Sequence, residues 1–379
     1  MIKGILVQFR DLKKQYIALK NEIDNAVFDV INSTNFIIGK QVSELEEELA
    51  SYVGRKHCIS CANGTDALVL ALIVMGVKKG DAVFVPDFTY IATASSVSFV
   101  GATPIFVDID LDTYNMSDES LEVAIKRVKD NGELIPKAII PVDLFGLPAD
   151  YDKILKIAKT YDLKVIEDAA QGFGGRINSK IACSFGDISC TSFFPAKPLG
   201  CYVDGGAVFT DDDNTDDILR SLRANGKSKV DKYDNVMIGM NSRLDTIQAA
   251  ILKVKFNALV NYELEAVNNA YIAYNQRLKS NYRTPIIPKG FYSSFAQYTI
   301  LCDDKVERDN LQKKLKDNNI PTMVYYPRGM HEQKCFGNLT TNGFDFSNSI
   351  EATKRVLSLP MHPYITNEEI NGICDIMLN

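Results

Sequence analysis

The sequence predicts an α/β protein: a large domain built on a mostly parallel central sheet between helices, and a smaller C-terminal α+β domain. Three observations carry this expectation. Short apolar, β-branched runs alternate with segments of helical pattern, as in strands joined by helical crossovers. Most of those runs are continuous rather than alternating, as in strands buried on both faces. The 379 residues suffice for more than one hydrophobic core.

Strands are expected at Ala82–Pro86, Pro104–Asp108, Lys137–Val142 and Lys164–Glu167. Helices are expected over Asp66–Gly76, Ala92–Gly101, Ser117–Asn131 and Tyr151–Tyr161. From Leu244 to about Lys279 the pattern becomes one or two long helices, with Ile247, Ile251, Leu252 and Val254 on the apolar face. A mixed segment then runs from Tyr282 to the C-terminus, with a strand at Gln297–Leu301. The domain change is expected near residues 250–260, within or beside a helix. That gives a large domain over 1–255 and a small one over 256–379, with the N-terminal segment able to pack outside the large domain.

Hydrophobic residues make up 46% and charged residues 24%, an ordinary globular composition. The net charge of −6 argues against a nucleic-acid surface, although local basic pockets for phosphate remain compatible with it. No apolar run reaches the length of a membrane span, and the opening residues lack a signal-peptide pattern, so a cytoplasmic location is expected. Eight cysteines in a chain of this length do not make a disulfide scaffold. Cys58-Ile59-Ser60-Cys61 is a lone CxxC, and His57, His331 and His362 are scattered. It reads as two small buried side chains on a strand entering a loop, and no structural metal is expected.

The chemistry is carried by a carboxylate and a lysine. Asp168 ends Val165-Ile166-Glu167, at the carboxyl end of a parallel strand, where ligands of α/β sheets bind. Strand alternation sends Glu167 to the opposite face. Lys197 follows in Ser192-Phe193-Phe194-Pro195-Ala196-Lys197-Pro198-Leu199. A buried carboxylate followed by a lysine in a short Ser/Pro-bounded loop meets the needs of pyridoxal 5'-phosphate. The amine forms a Schiff base with the cofactor aldehyde, and the carboxylate keeps the pyridine nitrogen protonated. An aromatic-lined pocket would lower the lysine pKa and free the amine as nucleophile and base. Gln171 is within reach of the ring's phenolic oxygen, and Ser192 of the phosphate.

Other segments fit this chemistry or a plainer role. Asn63-Gly64-Thr65-Asp66 opens an apolar helix, so Gly64 and Thr65 are phosphate candidates at a helix N-terminus. The same residues also read as a simple cap by Thr65 or Asp66. Tyr90, in Pro86-Asp87-Phe88-Thr89-Tyr90, is a candidate to stack on the pyridine, or a core aromatic. In Asn241-Ser242-Arg243-Leu244-Asp245, either Ser242 caps the helix and Arg243 pairs with Asp245 or solvent, or Asn241 and Arg243 face phosphate or substrate.

Taken together, these runs closely resemble the DegT/StrS nucleotide-sugar aminotransferases, which are fold-type-I pyridoxal phosphate transferases. The matching runs are Ile59–Leu68, Pro86–Thr93, Val165–Gln171, Thr191–Tyr202, Asp204–Ala207, Asn241–Ala250 and Leu359–Pro363, spanning about residues 35 to 365. The resemblance implies that Lys197 is the Schiff-base lysine and proton shuttle, and that Asp168 binds the pyridine nitrogen. Gln171 and Tyr90 would contact the ring, and Gly64, Thr65 and Ser192 the phosphate. Asn241 would reach the cofactor phosphate of a neighbouring subunit, making a homodimer with shared active sites. L-Glutamate would donate the amine, and a nucleotide-linked keto sugar would accept it, for bacterial surface polysaccharide. The runs look most like the branch that aminates C3 of UDP-2-acetamido-3-keto sugars, including uronates, with Arg243, Tyr325 and His331 at the substrate. The rival readings are C4 amination of a nucleotide 4-keto-6-deoxy sugar, sugar dehydration, and a non-catalytic pyridoxal phosphate-binding protein, which the joint presence of Asp168, Gln171, Ser192 and Lys197 argues against. Dehydratase relatives replace the lysine with histidine, which Lys197 argues against.

Overall fold

The computed structural model describes residues 7–231, 233–339 and 343–379. Its elements run in chain order as follows. Three N-terminal helices, α1 (Leu12–Ala18), α2 (Lys20–Ser33) and α3 (Lys40–Val53), precede strand β1 (His57–Cys61). Then come α4 (Gly64–Val74), β2 (Asp81–Pro86), α5 (Ile91–Phe99), β3 (Thr103–Val107), α6 (Asp118–Asn131), β4 (Ile135–Ile139), α7 (Tyr151–Tyr161) and β5 (Lys164–Asp168). Two short strands, β6 (Arg176–Ile177) and β7 (Lys180–Ile181), lead to β8 (Ile188–Ser192), β9 (Gly206–Thr210) and α8 (Asp213–Leu222). The C-terminal part holds α9 (Thr246–Ala258), α10 (Leu264–Leu278), β10 (Phe291–Tyr292), β11 (Tyr298–Leu301), α11 (Lys305–Asp317), α12 (Ser347–Arg355), β12 (Val356–Leu359) and α13 (Asn367–Leu378).

The local chemistry explains the elements. In α3, Val42, Leu45, Leu49 and Val53 recur at helical spacing and are buried, and Gly54 stops the helix at φ +78°. In α4, Ala67 to Leu72 are all buried, because the helix lies between the sheet and other helices. The long helical region breaks into α9 and α10 at a π-turn, Leu259–Glu263.

Seven strands form one sheet in the order β1-β9-β8-β5-β4-β2-β3. Only β9 opposes its neighbours; the other pairings are parallel. The carboxyl ends of β1, β2, β5 and β8 therefore share one edge, and the start of β9 joins them there. Register fixes the detail: Asp168 lies opposite Cys190, while Ser192 and Cys61 both lie opposite Gly206. A second core gathers β11, β12, α10, α11 and α13 around Tyr274, Tyr298 and Leu357, and Val7 from the N-terminal segment belongs to it.

The expected strands are present with shifted bounds. Lys137–Val142 becomes Ile135–Ile139, since the chain turns away after pairing with β2 and β5. Cys58 and Cys61 are buried on β1 and enter different cores, as small strand side chains do. No helix among the described residues is long and apolar enough to cross a membrane. Nor do those residues contain a cluster of side chains suited to a metal ion.

Candidate active site

Asp168 ends β5 almost fully buried. Its Oδ2 accepts a hydrogen bond from the Thr93 hydroxyl (2.8 Å), and its Oδ1 one from the Ala170 N–H (3.2 Å). Both donors are neutral, and burial pushes the carboxyl above its ordinary pKa, against the opposing pull of these bonds and of the Lys197 charge. Glu167 does turn to the other face, where the N–H groups of Cys183 (2.6 Å) and Phe185 (2.7 Å) hold its carboxylate.

Lys197 lies in the loop after β8, within Coulombic reach of Asp168. Burial pushes its amine down to about 8; Asp168 opposes that shift and Arg10 adds to it. Arg10 reaches the loop from the N-terminal segment and donates to the Lys197 carbonyl (2.8 Å).

Gln171 is clamped at both ends. Its Oε1 accepts from the Phe145 N–H (2.8 Å), and its Nε2 donates to the Tyr326 hydroxyl (3.0 Å). Tyr326 is in turn edge-on to Phe88 and 6.3 Å from the ring of Tyr90, which precedes α5 and is 55% exposed. Asp168, Gln171, Tyr90 and Lys197 thus form one group.

Gly64 is the first residue of α4, so the helix begins earlier than expected. The cap is Asn63, whose Oδ1 accepts from the Asp66 N–H (2.8 Å), not Thr65 or Asp66. The turn passes so close to β8 that a Cβ on Gly64 would lie 2.7 Å from the Ser192 Cβ. Gly64, Thr65 and Ser192 therefore surround one helix N-terminus with free N–H groups, a natural anion site.

Ser242 does not cap the long helix, because α9 starts later, after Asp245. Its hydroxyl instead donates to Asp66 (2.6 Å) and accepts from the Ala62 N–H (3.0 Å), tying residues 241–243 beside the start of α4. Asn241 is exposed there, and Arg243 is half-buried with no ion pair or hydrogen bond among the described residues.

The remaining two candidates lie differently. Tyr325 packs edge-on against Phe9 and beside Tyr326. His331 is committed to Asp87, with its Nδ1 2.7 Å and its backbone N 2.8 Å from that carboxylate, and its ring stacks on Phe346 at 4.5 Å. The Asp87 bond holds its pKa above the usual histidine value. Thr93, Tyr326 and Arg10 escaped the sequence reading. Thr93 lies three residues past Tyr90, where one helical turn aims it at the strand end; Tyr326 and Arg10 carry no comparable spacing signal.

Comparison with known proteins agrees with this geometry. Residues 18–378 match the model of the DegT/DnrJ/EryC1/StrS aminotransferase family. The chain is 42% identical to a UDP-2-acetamido-2-deoxy-3-oxo-D-glucuronate aminotransferase of Pseudomonas aeruginosa, covering 99% of this chain and 100% of the relative. It is 39% identical to a UDP-N-acetyl-3-dehydro-alpha-D-glucosamine 3-aminotransferase of Acidithiobacillus ferrooxidans, covering 100% and 98%. The crystal structure of an aminotransferase from Brucella abortus superposes with a TM-score of 0.95 at 45% identity, covering 98% of each chain. The chain belongs to the DegT/DnrJ/EryC1/StrS aminotransferase family.

Proposed function

We propose that this protein, a pyridoxal phosphate-dependent sugar aminotransferase, moves the amino group of L-glutamate to C3 of a UDP-linked 2-acetamido-3-keto sugar. Two relatives whose names specify a 3-keto UDP sugar, one a uronate and one not, support the position and the nucleotide. The half-buried, unpaired Arg243 supports a sugar carrying a C6 carboxylate, which a guanidinium binds through two parallel hydrogen bonds.

The observation that carries the reading is the Asp168 carboxylate. It is buried, bonded among the described residues only to neutral donors, and within Coulombic reach of an amine held at about 8. Such a carboxylate is stabilised by a cationic N–H, which a pyridinium supplies. The start of α4 fits the phosphate, because the missing Cβ of Gly64 leaves room beside the Ser192 hydroxyl. The cofactor, when bound, supplies an electron sink that lets a proton leave the carbon bearing the nitrogen. Asp168 would keep the ring nitrogen protonated, with Thr93 holding the carboxylate in line. Gln171 would orient the ring, and Tyr90 would pack against it. Lys197 Nζ would anchor the cofactor and, once freed, would move a proton between the substrate carbon bearing the nitrogen and the cofactor, in one direction for the donor and in the reverse for the sugar.

Asn241 is read as a contact to a neighbouring subunit's cofactor, in a homodimer with shared sites. Its exposure supports this, as do the exposed apolar side chains Phe28, Ile31, Phe36, Ile37, Ile38 and Val203 on α2 and the adjacent loops.

Two outcomes test the arrangement. Capture of pyridoxal phosphate by the apoprotein requires the neutral amine, so its rate rises with pH through about 8 and levels off above. A midpoint near the ordinary lysine value, followed by absorbance, contradicts the assignment of Lys197. Gly64→Ala pushes a methyl group against Ser192, costing about 1–3 kcal/mol and weakening cofactor affinity; thermal unfolding and cofactor titration read both.

A further inference from the structure

We propose that Arg10 binds the carboxylate of the amino donor, beside the Lys197 loop. The inference rests on the transaminase reading above and goes beyond it by assigning the donor's anion a partner. Three well-buried arginines elsewhere each meet an acid: Arg55 with Asp211, Arg223 with Glu46, and Arg308 with Asp309. Among the described residues Arg10 has none. Its only hydrogen bond among them is to the Lys197 carbonyl at 2.8 Å, which leaves four N–H donors of the guanidinium for a ligand.

Its surroundings are cationic. Lys197 and Lys255 lie within Coulombic reach, and Lys255 is 2% exposed with no hydrogen bond or ion pair among the described residues, its Nζ standing 4.9 Å over the Tyr202 ring. His362 is buried nearby with an unpartnered Nδ1. One nearby acid, Glu263, opposes the charge of both Arg10 and Lys255, one carboxylate against two cations. Glu263 accepts from Gln15 Nε2 (2.9 Å) and from the Tyr364 hydroxyl (2.7 Å). Asp11 accepts from the Lys14 N–H (2.8 Å) to cap α1, and Lys14 itself pairs with Glu369 at 2.8 Å. Residues 1–6, 232 and 340–342 contain no aspartate or glutamate that could neutralise the cluster. With Asp168 set against Lys197 and Glu263 against Arg10 and Lys255, one buried positive charge is left over, and it calls for an anionic ligand.

Position selects the ligand. Arg10 is bonded to the main chain of the reacting lysine itself, and the α-carboxylate of an amino acid stands one bond from the carbon that gives up its amine. The sugar diphosphate lies several bonds from its reacting carbon. A C6 carboxylate on a uronate shares the chemistry, and the test separates the two.

Glutarate, a dicarboxylate with no amine to give, is the probe. Calorimetry on the holoprotein is expected to show glutarate binding weakened roughly tenfold or more in Arg10→Leu and less in Arg10→Lys, which keeps the charge. The half-saturating L-glutamate concentration for the first half-reaction should rise by a similar factor, while the sugar half-reaction keeps its own. Equal glutarate binding by wild type and Arg10→Leu overturns the inference, as does an effect confined to a sugar with a C6 carboxylate. Should Arg10→Leu not fold, Arg10→Gln and Arg10→Lys carry the same comparison. A wild-type protein that holds no cofactor would instead defeat the transaminase reading, a separately visible outcome.

Discussion

Replacing Lys197 by alanine is expected to abolish the visible band of the bound cofactor and to lower turnover by at least about 10³-fold. The size follows from two roles lost together. A positioned general acid–base is worth roughly 10²–10⁴-fold, and the covalent anchor goes with it. The fold should survive, because Lys197 makes no ion pair among the described residues and its backbone contacts, including the carbonyl bonded by Arg10, do not depend on the side chain. Circular dichroism of the variant should match wild type while its absorbance does not. Full activity in Lys197→Ala would remove the basis of the reading.

Asp168→Asn separates function from stability. Asparagine keeps an oxygen for the Ala170 N–H and turns its amide N–H to the Thr93 hydroxyl, which then accepts instead of donating, so the local geometry is retained. It loses the charge opposite the ring nitrogen. A charge-assisted hydrogen bond contributes about 1.5–3 kcal/mol, so cofactor affinity should fall roughly 10- to 100-fold. Turnover should fall further, because an unprotonated ring is a poor electron sink. The apoprotein responds in the opposite sense. Burial raises the folded-state pKa of Asp168 above its unfolded value, so keeping the carboxylate ionised at neutral pH costs folding energy, a cost that disappears as the pH falls through both values. The uncharged variant escapes it and should unfold at a higher temperature as apoprotein. A variant that is both less active and less stable without cofactor would mean that Asp168 is structural.

The strand–helix alternation was readable because parallel strands buried on both faces leave continuous apolar runs, as at Val83-Phe84-Val85. Asp168 and Lys197 were readable because local signals mark both: a strand end and a Pro-bounded loop. Helix starts were less legible. Asn63 and Asp245 precede α4 and α9, but several capping residues crowd each turn and sequence alone does not choose among them. Contacts between distant segments left no local trace. Arg10 meets the Lys197 carbonyl, and Gln171 meets Tyr326, across separations that no spacing encodes. His331 likewise meets Asp87 and Phe346, contacts that no spacing in the sequence encodes.

Lys255 supplies the sharpest comparison for the central claim. Burial lowers it, like Lys197, to about 8, so low pKa alone does not single out the cofactor lysine. Only Lys197 also feels the Asp168 carboxylate. Borohydride reduction of the holoprotein followed by peptide mass mapping decides between them. The account predicts a pyridoxyl group on the peptide carrying Lys197 and on no other; the label on Lys255, or no covalent label at all, would contradict it.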